Sequence, residues 1–291
     1  MKKRKSFIIL MVFILLLLTA CSNENNSKKE GVANYAAGRA PIEMQEVELA
    51  LTEKLVQDLY ELVRVSIPFR RNFYFFSNKE LTVSTFDDNE KHYFASILLD
   101  KKDFKVTKNK SGGGTFTLSP EAFKKAIESF FGPDVEYVSD SKMLFSILRD
   151  DVLDDGGLIS FQYDAKKKVY YGEIGGTGYV GNPVEEIYTK LTSAVKYGDT
   201  IILTERFIFT EVEYAEFEEE VDYDEKISYE IYADYEMKQL LASFKDVEWS
   251  WEDESQLVSI DDYLDKAGTI VYTFKLGSDN EYHLYSSEVK K

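Results

Sequence analysis

Cysteine is almost missing: Cys21 is the only one in 291 residues. A chain with one cysteine closes no internal disulfide, so a hydrophobic core must hold its folded part together. Histidine is nearly as scarce, with His92 and His283 the only two. No H-E-x-x-H and no H-x₃₋₅-H pairing occurs, which leaves a histidine-based zinc centre or catalytic triad without support. His283 alternates with Tyr282 and Leu284 along an expected strand, so it is expected to face solvent. Neither a G-x-S-x-G elbow nor a G-x-x-x-x-G-K-[ST] loop is present, and with them go their hydrolase and nucleotide readings. Basic residues are in short supply, 35 Lys+Arg against 52 Asp+Glu, a net charge of −17. Such a surface repels nucleic-acid phosphates and anionic headgroups alike. Long apolar runs are absent too. The longest, Phe7 to Leu18, has twelve residues, whereas a membrane-spanning helix needs roughly 20.

What stands around that short run is informative. Lys2, Lys3, Arg4 and Lys5 precede it, and Thr19, Ala20 and Cys21 follow it directly. Basic residues ahead of a short apolar segment have the form of a secretory signal. Leu18-Thr19-Ala20-Cys21 resembles the lipobox of bacterial lipoproteins. The resemblance implies a signal peptide over residues 1–20, cleavage before Cys21, and a diacylglycerol thioether on the Cys21 sulfur. Two or more acyl chains anchor a protein stably where one does not. The resemblance covers the signal alone. The remainder has the texture of uncharacterised lipoproteins of low-GC Gram-positive bacteria, and no motif in it supports a carry-over of function.

Cleavage would remove four basic and no acidic residues, leaving 31 against 52 and a net charge of −21. Acyl chains would then hold at the membrane a body whose charge pushes it away from anionic lipid. Residues 21–41 are polar and aperiodic, as a flexible tether is. About 20 such residues have an r.m.s. reach of roughly 25 Å.

The rest divides by texture into residues 42–150 and 151–291, in one domain or two. In the first part Val47, Leu51, Leu55, Leu59 and Leu62 recur at helical spacing from about Ile42 to Val65. Phe73-Tyr74-Phe75-Phe76 is an apolar stretch expected in the core. Asp87 with Glu90 forms a capping-box pattern ahead of a helix through Leu98. Ser119 as N-cap, Pro120 and Glu121 in the first turn, and Gly132 with Pro133 at the end delimit the clearest helix. In the second part Ile159, Phe161 and Tyr163 alternate, Lys166-Lys167-Lys168 turns, and Val169 and Tyr171 return. Thr200 to Thr210, Ile227 to Tyr232 and a hairpin about Gly277-Ser278-Asp279-Asn280 continue the β pattern. The expected fold class is therefore α+β, a helix-rich N-terminal half followed by an antiparallel β-rich C-terminal half. The 20 Tyr and 20 Phe suit sheet packing, and equally suit the lining of a sugar or peptide groove.

Two stretches invite chemistry. Gly176-Thr177-Gly178-Tyr179-Val180-Gly181 is a literal G-x-G-x-x-G, with Glu205 about 25 residues on where a ribose-binding acid would stand. The chain that follows lacks the series of βα units that a dinucleotide site requires, and residues 186–197 fit a strand as well as a helix. The segment Glu211 to Glu225 carries nine carboxylates in fifteen residues. It lacks the D-x-[DN]-x-[DN]-G order of a calcium loop, as does Asp150-Asp151-Val152-Leu153-Asp154-Asp155-Gly156. A solvated acidic edge, guarding a strand against aggregation, accounts for it. No cofactor, metal ligand or catalytic residue is assigned, and Cys21 is the single site residue, for lipidation. The expectation is a membrane-anchored extracytoplasmic lipoprotein, non-catalytic, binding an envelope protein, a glycan or a small ligand and no nucleic acid. The alternative is an extracytoplasmic hydrolase built on dispersed carboxylates.

Overall fold

The computed structural model describes residues 46–64, 75–76, 80–108, 114–138, 145–148, 158–175, 187–214, 224–250 and 258–290. Among them are three α-helices: α1 (Lys54–Arg64), α2 (Asp88–Ala95) and α3 (Pro120–Phe131). Strands predominate. A small sheet of five has the order β3-β4-β7-β6-β5, made of β3 (Lys105–Lys108), β4 (Gly114–Leu118), β5 (Phe145–Leu148), β6 (Leu158–Asp164) and β7 (Val169–Gly175). A large sheet of eight holds β1 (Glu46–Glu48), β2 (Glu80–Thr82), β8 (Ile187–Tyr197), β9 (Thr200–Tyr214), β10 (Asp224–Tyr232), β11 (Leu240–Ser250), β12 (Gly268–Leu276) and β13 (Tyr282–Lys290). Every pairing in both sheets is antiparallel.

The helix-rich first half is corrected by this arrangement: β1 to β5 all arise there, and the fold is β-dominated. The expected helix from Ile42 shrinks to α1 because Glu46–Glu48 pair with Val195–Tyr197 of β8 instead. Strands of three to five residues leave too little alternation to be read locally. β2 is held by a partner distant in sequence, Glu80–Thr82 by Ser286–Glu288. The capping box of Asp87 and Glu90 forms, with both reciprocal bonds at 2.8 Å. Ser119 caps α3 through the Ala122 N–H.

The large sheet forks at β9, which is fifteen residues long. Thr200 to Phe207 pair with β12 and Phe209 to Tyr214 with β10, while β8 follows the opposite edge. Where β9 changes partner it is covered on both faces. Phe207 and Phe209 enter the main core, and Ile208 enters a second cluster with Tyr188, Ile227, Ile231 and Val258.

The main core draws on both sheets and all three helices within the compact unit Met44–Lys291. It is largely aromatic. Phe116 meets Phe161 at 5.2 Å between ring centroids, and Phe161 meets Phe123 of α3 at 5.4 Å. Further along α3, Phe130 meets Phe94, which meets Phe75, which meets Tyr272 of β12 edge-on. Much of the aromatic excess thus serves packing, through ring pairs worth about 0.5–1.5 kcal/mol each beyond area burial. Phe75 and Phe76 are buried as expected; Phe73 and Tyr74 lie outside the described residues.

Candidate functional site

The outer face of the small sheet forms an open trough of about 490 Å³, lined by Thr115, Phe116, Thr117, Ser160, Gln162, Asp164, Lys167, Val169, Tyr171, Gly172 and Glu173. Alternation builds it. In β4, Gly114, Phe116 and Leu118 point inward, while Thr115 and Thr117 are exposed. In β7, Tyr170 and Ile174 are buried, while Tyr171 and Glu173 are exposed. Register then sets the outward residues side by side: Thr115 opposite Glu173, Thr117 opposite Tyr171, and Tyr171 opposite Gln162. Residues directly opposite on neighbouring strands share a face. Thr107 and Lys105 of β3 extend the same rows.

Tyr171 is fixed by its own hydroxyl, which donates to Oε1 of Gln162 at 2.8 Å. Among the described residues no other side chain occupies Thr115, Thr117 or the amide nitrogen of Gln162. The wall at Asp164 is a closed turn. Asp164 Oδ1 accepts the backbone N–H groups of Lys166 and Lys167 at 2.9 and 3.0 Å, and the Lys167 ammonium lies 3.5 Å from Oδ2. The backbone N–H of Lys167 foremost, helped by that of Lys166 and by the Lys167 charge, holds the Asp164 carboxyl below its ordinary range. A carboxylate so stabilised as an anion is a poor general acid, and a glycosidase acid needs the opposite shift.

Gly172 makes the floor. β6 and β7 are paired at Ile159/Ile174 and at Gln162/Tyr171, with no pairs between. There the Ser160 carbonyl oxygen stands 1.5 Å from where a Cβ on residue 172 would sit, and Phe116 stands 2.9 Å from it. Only glycine permits that approach.

Glu205, the acid singled out downstream of the glycine motif, has a different position. It occupies a core-facing place on β9 and is 1% exposed. Tyr60 of α1 donates to one carboxylate oxygen, and Tyr272 donates to the other at 2.9 Å. The Tyr60 hydroxyl also lies 3.4 Å from Thr189 Oγ1. Burial drives the Glu205 pKa above the usual carboxylate value, against the pull of the Tyr60 and Tyr272 hydrogen bonds. Both tyrosines are driven up as well, by burial first and by the Glu205 charge second. A sealed carboxylate cannot meet a ribose. From Ile187 the chain is strand β8, and no series of βα units follows it among the described residues. Residues 176–181, 150–156 and 215–223 lie outside the described residues. The ends of the acidic run, Glu211–Tyr214 and Asp224–Glu225, belong to β9 and β10.

The two histidines are buried, which corrects the expectation for His283. The His283 ring is covered by α3 and the turn at Gly277 and Asp279, while Leu284 enters the main core, so both neighbours are buried. His283 Nδ1 faces the Ser129 carbonyl of α3 at 3.0 Å, and Nε2 faces the Asp279 carboxylate at 3.0 Å. His92 is held differently, with Nδ1 2.6 Å from the Asp88 carbonyl and Nε2 2.7 Å from the Tyr170 hydroxyl. Nδ1 donates there and Nε2 accepts from the phenol. Burial lowers the His92 pKa. Neither ring lines the trough. Among the described residues no group of three His, Cys, Asp or Glu is placed to hold a metal ion.

No family model, no curated protein and no solved structure matches the chain. The site therefore rests on its own chemistry. None of its residues stood out in the sequence. Val169 and Tyr171 were the alternating pair read for β7, whereas the core takes Tyr170, Gly172 and Ile174 and leaves Tyr171 outside. The available signal was the run Thr115-Phe116-Thr117-Leu118, whose strict alternation puts two threonines on one open face.

Proposed function

We propose that this chain is an extracytoplasmic lipoprotein, held by acylated Cys21 at the outer face of the cell membrane, whose body binds an envelope ligand in the trough without transforming it. The trough is the observation that carries the reading. It is concave, of a volume usual for small-ligand sites, and lined by hydroxyl and amide groups around one fixed aromatic ring. Of its two carboxylates, Asp164 is committed to a turn as an anion. The carboxylate with a raised pKa, Glu205, is sealed in the core and does not line the trough. Binding needs no acid–base pair, and this division of carboxylates favours it over hydrolysis. The anchor at Cys21 would bring the acidic body to envelope material while its charge holds it off anionic headgroups.

Hydrogen–deuterium exchange on the full membrane-held chain, with and without isolated envelope material, tests the reading. Protection concentrated in peptides of β4, β6 and β7 is the expected result. Protection confined to the large sheet, or none, would reject the trough as the binding face.

A further inference from the structure

We infer that the ligand of the trough is a neutral saccharide, an inference that rests on the binding reading above and names its chemistry. The sheet face offers side chains only. The backbone N–H and C=O groups of β4 and β7 are largely taken up in their ladders. An extended peptide binds a sheet by adding to its edge, where those groups are open. On the face, the ligand must satisfy the hydroxyls of Thr115 and Thr117 and the amide of Gln162. Each threonine hydroxyl both donates and accepts. A sugar carries the same dual-purpose group on successive carbons, so such pairs form in either direction.

Tyr171 supplies the second element. Tyr171 is 41% exposed, and its hydroxyl is bonded to Gln162. A flat, pre-set aromatic surface takes the C–H face of a sugar ring at little entropic cost. Charge supplies the third. Lys167 and Asp164 form a largely exposed ion pair at 3.5 Å whose charges offset, and Glu173 adds the unbalanced negative charge of the lining. An anion would meet that carboxylate on a chain already at −17, which disfavours charged glycans and phosphates. A neutral diol instead donates two hydroxyl protons to the two carboxylate oxygens.

The test uses the full chain in a zwitterionic, sugar-free detergent, titrated calorimetrically with cellotetraose and fully N-acetylated chitotetraose and, as an anionic control, tetragalacturonate. The expected result is saturable binding of at least one neutral tetramer and none of the anion. Tyr171→Ala should weaken that binding about tenfold or more, Thr117→Arg should abolish it, and Tyr171→Phe, which keeps the ring but loses the bond that holds it, should weaken it by less than Tyr171→Ala. Melting curves of all three variants establish that each is folded. If neither neutral tetramer binds while envelope material still protects β4, β6 and β7, the saccharide is wrong and the face is right. If that protection is missing as well, both fall. Neutral binding untouched by folded Tyr171→Ala and Thr117→Arg would also overturn the inference.

Discussion

Tyr272 and Glu205 meet across 2.9 Å in the middle of the large sheet, with the phenol donating to a carboxylate that solvent scarcely reaches. Tyr60 closes the other oxygen from α1. This triad ties the helix to the sheet, and its energetics depend on protonation. Burial raises the Glu205 pKa, so the folded chain holds that proton more tightly than the unfolded one. The contribution is complete below the ordinary carboxylate value of 4.5 and is lost as pH rises through the raised value. Glu205→Gln keeps the shape and removes the titration. Its stability relative to wild type should therefore climb between pH 4 and pH 8 in urea melts. Wild type gaining on the variant over that range would refute the assignment. Glu205→Ala leaves two buried hydroxyls without an acceptor and should cost about 2–5 kcal/mol.

His92 gives the opposite slope. Its pKa is lowered by burial from 6.5, so its contribution is present above 6.5 and is lost as pH falls through the lowered value. The Asp88 carbonyl takes the Nδ1 proton, and in the neutral ring that burial favours, Nε2 accepts from Tyr170. Nitrogen chemical shifts at pH 7 should report that tautomer. Tyr170→Phe should cost about 1–3 kcal/mol by stranding Nε2. An Nε2-protonated ring would contradict the account.

Asp279 should reveal itself in acid. Its hydrogen bond with His283, foremost among several, holds its pKa below 3.8. The stabilisation is present above 3.8 and disappears as pH falls through the lowered value. Asp279→Asn should therefore be less stable than wild type at pH 6, with the difference shrinking toward pH 2. A constant difference across that range would show that the charge plays no part.

On its core-facing side, residue 172 allows no side chain. Gly172→Ala places a methyl carbon against the Ser160 carbonyl and should cost about 3 kcal/mol or more, since the obstacle is backbone. Thermal melting of the variant checks it. A melting temperature equal to wild type would mean that β6 and β7 do not approach as described.

Features fixed by neighbours along the chain were the legible ones. Ser119, Pro120 and Gly132 bound α3, and Asp87 with Glu90 start α2, because caps act within three or four residues. The long strands β8, β9 and β12 carry enough alternation to be seen. Strands β2 to β5 were hidden because they are short, and β2 and β4 take register from partners far along the chain, β13 and β7. The trough was hidden for the same reason. Thr117, Tyr171 and Gln162 become neighbours only when β4, β7 and β6 pair, and no spacing along the chain announces it. Glu205 looked like a free acid in sequence because nothing local reveals Tyr60 above it, 145 positions away.

The binding of isolated envelope material to the full chain, compared between Thr117→Arg and Leu240→Arg, addresses the central claim most directly. Thr117 lines the trough, and Leu240 is 51% exposed on β11 of the large sheet. Both variants should fold and reach the membrane. The account predicts that Thr117→Arg loses at least about tenfold in affinity while Leu240→Arg binds as wild type does. Equal binding by the two folded variants would contradict it.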